Sequence, residues 1–105
     1  MVKVSILYPA KAGARFDSDY YLNVHMPLAL TSLGPALKGA SVEIGRSGAL
    51  PGEPPPYVAM CHFVCESPEA FYDVFLPNAE LLQGDIINYT DIGPVIQISD
   101  IKIAR

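Results

Sequence analysis

The nearly continuous apolar run from Tyr57 to Cys65 limits what this chain can fold into more than any other feature. Such a run, bounded by turn-forming residues, is typical of a central strand that is covered on both faces. Because side chains alternate between the two faces of a strand, each face of this one is apolar. One face carries Val58, Met60 and Val64, and the other carries Ala59, Cys61 and Phe63. Both faces of the predicted sheet therefore need apolar cover.

The segments before this strand predict a strand, a helix and a second strand. Val2 to Tyr8 alternates apolar and polar residues, which favours a strand. A helix is expected from about Asp19 to Leu33, because Gly34-Pro35 would end it. Leu37 to Arg46 predicts a strand with one polar face. The Gly/Pro-rich residues 48–56 then indicate a stiff surface loop.

The segments after it predict a second helix and a last strand. Ser67-Pro68-Glu69 combines an N-cap residue, a proline suited to the first turn and an acid near the helix N-terminus. The helix should continue to about Gln83-Gly84, and residues 85–91 form a connector. Pro94 to Ile103 predicts the final strand.

The resulting order, β-α-β-β-α-β, predicts an α+β fold of the ferredoxin-like type. Its four-stranded antiparallel sheet would carry both helices on one face. We expect a single domain over residues 1–105, because no linker divides the chain. Two helices cover only one face of the sheet. A second copy of the chain is therefore the expected cover for the other face, in a homodimer whose sheets pack face to face or close into a shared barrel.

Composition narrows the expected partners and location. Half of the residues are hydrophobic and 17% are charged, against about 25% charged in a typical domain. The net charge of −4 and the scattered Lys and Arg argue against nucleic-acid binding. Neither a membrane-spanning run nor a signal-peptide pattern is present, so we expect no membrane association and a cytoplasmic location. Cys61 and Cys65 lie too far apart along one strand to form a disulfide, and both should stay reduced.

The segment from Tyr20 to Leu28 contains the strongest candidate for chemistry. Tyr21 and His25 are four residues apart and share one face of the predicted helix. Pro27 removes a backbone donor, so the helix should bend or loosen near His25. Histidine exchanges a proton near neutral pH, which suits acid–base catalysis. The alternative is structural: His25 would bind a carbonyl group that Pro27 has freed.

The chain resembles the EthD family, a group of small dimeric α+β barrel proteins. The segments that carry the resemblance are Val4 to Pro9, Arg15-Phe16-Asp17, Tyr20-Tyr21, His25-Met26-Pro27-Leu28, Leu33-Gly34-Pro35, Asn88-Tyr89-Thr90-Asp91-Ile92 and Pro94 to Ser99. The resemblance implies a cavity for a small hydrophobic organic ligand, with His25 at the position of the family's helix histidine. It also implies a link to ethyl tert-butyl ether degradation, whereas relatives with the same barrel include cofactor-free isomerases, polyketide cyclases and monooxygenases.

Two functions follow as alternatives. One is a cofactor-independent isomerase, cyclase, dehydratase or oxygenase with His25 as acid and base. The other is a non-catalytic accessory or binding protein of an ether or xenobiotic degradation pathway. Ligand contacts are expected at Tyr8, Tyr21, His62, Tyr89 and Gln97, although His62 also suits a core or interface position. The chain has no recognisable metal or cofactor motif, so none is expected.

Overall fold

Four strands form one antiparallel sheet in the order β2-β3-β1-β4 in a computed structural model that describes residues 1–105. The strands are β1 (Val2–Pro9), β2 (Gly39–Ile44), β3 (Tyr57–Cys65) and β4 (Val95–Asp100). The long apolar strand β3 is central, as its sequence predicts, and pairs with both β1 and β2. The α+β class and the βαββαβ order are therefore confirmed.

Two strands, β2 and β4, are shorter than predicted. Strand β2 was predicted over residues 37–46 but spans Gly39–Ile44, and β4 was predicted to reach Ile103 but ends at Asp100. Strand β4 ends early because its partner strand, β1, begins at Val2. Asp100 pairs with Val2 at the very start of β1, and only one further bond, from the Ile101 amide to the Met1 carbonyl, continues the contact.

The first helical stretch, residues 18–33, changes its winding along its length. It consists of α1 (Ser18–Tyr20), a π-helical segment (Tyr21–His25) and α2 (Met26–Leu33). Asp17 caps its start by accepting a hydrogen bond from the Tyr20 amide. The π-helical turn ends at His25, two residues before Pro27, which confirms that the helix loosens near His25. Proline lacks the amide donor that a regular turn needs there, and its ring clashes with the turn before it.

The second helical stretch, residues 68–84, was predicted as one helix but is interrupted. It divides into α3 (Pro68–Phe75), a 3₁₀ turn (Leu76–Asn78) and α4 (Ala79–Gly84). Pro77 lies in the turn and cannot donate to the ladder of α3. The side chain of Asn78 donates to the Val74 carbonyl at 2.8 Å and so satisfies one acceptor at the end of α3. A further 3₁₀ turn, Ile86–Asn88, follows α4.

Both helical stretches lie on one face of the sheet, and the core lies between them and that face. The strand residues Val4, Ala59 and Phe63 point into the core and are fully buried. The other face of β3 carries Val58, Met60, His62 and Val64, all only half-buried, because no element of the chain covers them. The two faces thus differ in burial, and this chain itself supplies no cover for the open face. None of the helices is long and apolar enough to cross a membrane.

Candidate functional site

A cavity of about 460 Å³ lies between the helices and the covered face of the sheet. This volume is in the range of about 300–1,000 Å³ that is usual for small-molecule sites. Nineteen residues line it and 16 of them are hydrophobic; the other three are His25, Gln83 and Pro94. The cavity therefore suits a small, mostly apolar molecule that meets very few polar groups.

His25 lies in the wall of this cavity and is held from behind by a carboxylate. Its side chain comes from the last residue of the π-helical segment and is 7% exposed. Its Nδ1 lies 2.9 Å from Oδ2 of Asp85, the C-cap residue that directly follows α4. The carbonyl partner of the structural alternative is not observed. His25 is also packed against aromatic rings, with the centroid of Tyr89 at 4.7 Å and that of Tyr21 at 6.0 Å.

Asp85 is held as an anion by three donors. The Tyr20 hydroxyl donates to its Oδ1 at 2.6 Å, and the Asn88 side-chain amide donates to the same oxygen at 2.9 Å. Burial alone would raise the pKa of Asp85, but the hydrogen bonds from Tyr20, Asn88 and His25 together lower it below its usual range. An ionised carboxylate only accepts hydrogen bonds.

This arrangement decides the tautomer of the neutral histidine ring. Because Asp85 accepts, Nδ1 of His25 must carry the proton that it donates to Oδ2. In the neutral ring, Nε2 is then a free acceptor, because the one side-chain hydrogen bond of His25 within the chain is made by Nδ1. A ring that is fixed through one nitrogen and free at the other has the geometry of a general base with an orienting carboxylate.

No sequence pattern had pointed to Asp85, which lies in the predicted connector of residues 85–91. One signal was available: an acid at the C-terminal end of a helix meets the negative end of the helix dipole and is unfavourable there unless other groups compensate. The three donors to Asp85 provide this compensation. One of them, Asn88, belongs to the Asn88-Tyr89-Thr90-Asp91 segment, of which only Tyr89 was expected at the site.

Two segments that carried the resemblance to EthD meet in the structure and hold this corner together. The Asp17 amide donates to the Tyr89 carbonyl at 2.7 Å, and the Thr90 hydroxyl donates to the Arg15 carbonyl at 2.6 Å. The Arg15 amide in turn donates to Oδ1 of Asp91 at 2.9 Å. These bonds join residues more than 70 positions apart and fix the last 3₁₀ turn against the start of the first helical stretch.

The predicted ligand-contact residues divide between the two faces of the sheet. Tyr8 and Tyr21 line the cavity together with His25. Tyr89 is buried just behind them, and its hydroxyl bonds to that of Tyr8 at 2.5 Å. These tyrosines and Phe16 form a cluster of mutually tilted rings whose centroids lie 5.1–6.0 Å apart. Such packing holds the cavity wall in place.

His62 and Gln97 lie on the open face of the sheet, so the sheet separates them from the cavity. His62 Nδ1 is 2.9 Å from the Ser5 hydroxyl, and its Nε2 is 3.5 Å from Oε1 of Glu43. Gln97 donates to the Ser99 hydroxyl at 3.0 Å. Neither residue can touch a ligand in this cavity. For His62, the position agrees with the interface alternative, and a ligand contact on the open face stays a prediction.

The side chains at the site do not favour a cysteine nucleophile or a metal centre. Cys61 lines the cavity, but burial and the nearby Glu43 carboxylate raise the pKa of its thiol to about 12. A thiol with such a pKa is almost entirely protonated at neutral pH and is a poor nucleophile. Nowhere do three His, Cys, Asp or Glu side chains lie close enough together to hold a metal ion.

The model of the EthD domain matches residues 13–93, which include the helix histidine and the Asn88-Tyr89-Thr90-Asp91 segment. The chain belongs to the EthD family. The crystal structure of an EthD-like protein from Ralstonia eutropha JMP134 is 46% identical, with a TM-score of 0.92 over 99% of this chain and 94% of that one. No curated protein matches the chain.

More distant structures share the fold. An EthD family protein from Bacillus halodurans C-125 is 20% identical, with a TM-score of 0.72 over 95% of this chain and 97% of that one. The At3g17210 protein of Arabidopsis thaliana is 15% identical, with a TM-score of 0.69 over 100% of this chain and 99% of that one. The EthD fold thus persists where little sequence identity remains.

Proposed function

We propose that this EthD protein is a cofactor-independent enzyme that moves a proton on a small, mostly apolar organic substrate. The observation that carries the proposal is the His25–Asp85 pair: a histidine in the wall of an apolar cavity, oriented by a carboxylate 2.9 Å behind it. Proton transfer of this kind underlies isomerisation, cyclisation and dehydration. A positioned base typically contributes about 10²- to 10⁴-fold to such rates.

The apolar surroundings favour this chemistry in two ways. Water is largely displaced when an apolar ligand fills the cavity, so Nε2 of His25 meets the substrate rather than solvent. Asp85 meanwhile remains ionised and stabilises the imidazolium that forms when Nε2 takes a proton. The Tyr20 hydroxyl and the Asn88 side-chain amide form hydrogen bonds only to Asp85 and to each other, and they position the carboxylate.

The alternative is a non-catalytic protein that protects or delivers a hydrophobic compound, for example within an ether degradation pathway. The observation in its favour is the lining itself, because 16 hydrophobic residues of 19 suffice for binding alone. The two functions differ in what they require of His25. A carrier needs apolar walls, whereas an enzyme needs the free nitrogen.

We further propose that a second copy of the chain covers the open face of the sheet. The half-buried apolar side chains on that face, among them Leu7, Met60 and Val64, support this proposal. The cavity lies on the opposite face, so the proposed chemistry does not depend on the dimer.

The test begins with the ligand that the protein retains during mild purification, identified by native mass spectrometry. That compound is incubated in D₂O with the wild-type protein and with His25→Gln, and deuterium uptake is followed by mass. We expect the wild-type protein to accelerate uptake or conversion and His25→Gln to lose at least about 100-fold of that rate. Equal rates with the two proteins, at equal ligand affinity, would favour the carrier.

A further inference from the structure

The hydroxyl group of Tyr21 is the one buried side-chain polar atom that has no hydrogen-bond partner. Tyr21 is 1% exposed and belongs to the cavity wall. Its neighbour Tyr8 uses its own hydroxyl to bond Tyr89, so that pair is satisfied without Tyr21. Buried polar groups in native proteins nearly always have a partner, and each exception requires an explanation.

The two polar groups on this wall are complementary in hydrogen bonding. Burial raises the pKa of Tyr21, so its hydroxyl stays protonated and can donate. Nε2 of His25 is an acceptor in the tautomer that Asp85 imposes. The two rings are close to parallel, 15° apart, with centroids 6.0 Å apart. A ring with an unused donor and a ring with an unused acceptor thus lie next to each other on the same π-helical segment.

We infer that the substrate is an apolar ketone or related carbonyl compound with an acidic C–H beside the carbonyl group. Its oxygen would accept from the Tyr21 hydroxyl while the adjacent C–H faces Nε2 of His25. This inference rests on the proposed function and names the substrate class for the same site.

The chemical step needs no cofactor. The C–H bond next to the carbonyl breaks, the proton moves to Nε2 of His25, and the electron pair moves through carbon onto the carbonyl oxygen. The resulting enolate oxygen receives the hydrogen bond from Tyr21 in a mostly apolar cavity, where such a bond is more effective than in water. Return of the proton to the same carbon gives exchange, and return to another carbon of a conjugated enolate gives an isomer.

The test uses 1-tetralone and tetralin, two bicyclic probes that differ by one carbonyl oxygen. Affinity is measured by NMR titration, and exchange of the C2 protons of 1-tetralone is followed in D₂O. The proteins are wild type, Tyr21→Phe, His25→Gln and the control Tyr57→Phe, which removes a hydroxyl outside the cavity. We expect Tyr21→Phe to lower the preference for the ketone over tetralin by about 5- to 10-fold and to slow exchange, with Tyr57→Phe unchanged.

The outcomes separate this inference from the proposed function. If His25→Gln abolishes exchange while Tyr21→Phe changes neither preference nor rate, the acid–base function stands and the carbonyl inference fails. If the wild type shows no exchange but Tyr21→Phe still loses the ketone preference, the oxygen site stands and the acid–base function fails for ketones. A clear fall in melting temperature for ligand-free Tyr21→Phe would show that the hydroxyl has an internal partner and would overturn the inference.

Discussion

Replacement of Asp85 by Asn tests the orienting role of the carboxylate with minimal change of shape. An Asn side chain keeps one acceptor oxygen, which can still serve Tyr20 and Asn88, but it presents an NH₂ group to His25. Nδ1 would then have to accept, and the neutral ring would carry its proton on Nε2. The free nitrogen changes from an acceptor to a donor, so Asp85→Asn should lose about 10²- to 10⁴-fold of any rate that depends on the base.

The cost in stability follows from the same three contacts. Hydrogen bonds to a charged group are worth about 1.5–3 kcal/mol and neutral ones about 0.5–1.5 kcal/mol. Conversion of three charge-assisted bonds into neutral ones should therefore cost about 1–3 kcal/mol in the free energy of unfolding, since the bonds are coupled and not fully additive. For a domain of this size each kcal/mol lowers the melting temperature by about 4–8 °C.

The pH dependence has a definite sign. The pKa of Asp85 is lower in the folded protein than its ordinary value. Its contribution to stability is therefore fully present above the unfolded value of about 3.9 and is lost as the pH falls through the lower, folded value. The difference in unfolding free energy between wild type and Asp85→Asn should therefore shrink as the pH falls below about 4.

Chemical denaturation at several pH values, combined with the exchange assay, measures both effects. Asp17→Asn is the matched control, because Asn caps a helix about as well as Asp and the residue lies outside the cavity. Full activity in Asp85→Asn would refute the role assigned to the carboxylate. A stability loss that did not change below pH 4 would refute its assignment as an anion held by three donors.

Three further predictions concern the rest of the molecule. Cys61 and Cys65 are at most 1% exposed. A thiol reagent should therefore label them slowly under native conditions, at a rate that follows unfolding of the protein. Rapid labelling would contradict the burial of β3. The wild type should sediment as a dimer at micromolar concentration and Leu7→Glu, on the open face, as a monomer; a folded wild-type monomer would remove the dimer proposal. Tyr8→Phe or Tyr89→Phe alone should cost about 1–3 kcal/mol because each leaves a buried hydroxyl unpaired, whereas the double variant should cost less than the sum in denaturant unfolding.

The sequence alone was sufficient for the architecture and for the local irregularity at the site. Alternation and apolar runs predict strands because the strand period is two, and Gly34-Pro35 and Ser67-Pro68 mark the ends of helices by their backbone chemistry. Pro27 likewise predicts a loosened turn at His25, because the missing donor is a property of the residue itself. These inferences depend on interactions over a few residues. Pro77 lacks an amide donor in the same way, and the break in the second helical stretch follows from it.

Only the tertiary structure decided what completes the site and which residues share it. The partner of His25 lies 60 positions along the chain, and a local pattern carries no information about such a contact. The same holds for His62 and Gln97: alternation predicts that a strand has two faces, but the packing of the helices determines which face encloses the cavity. Likewise, only the fold shows that the Tyr21 hydroxyl has no hydrogen-bond partner, because the hydroxyls of Tyr8 and Tyr89 bond to each other.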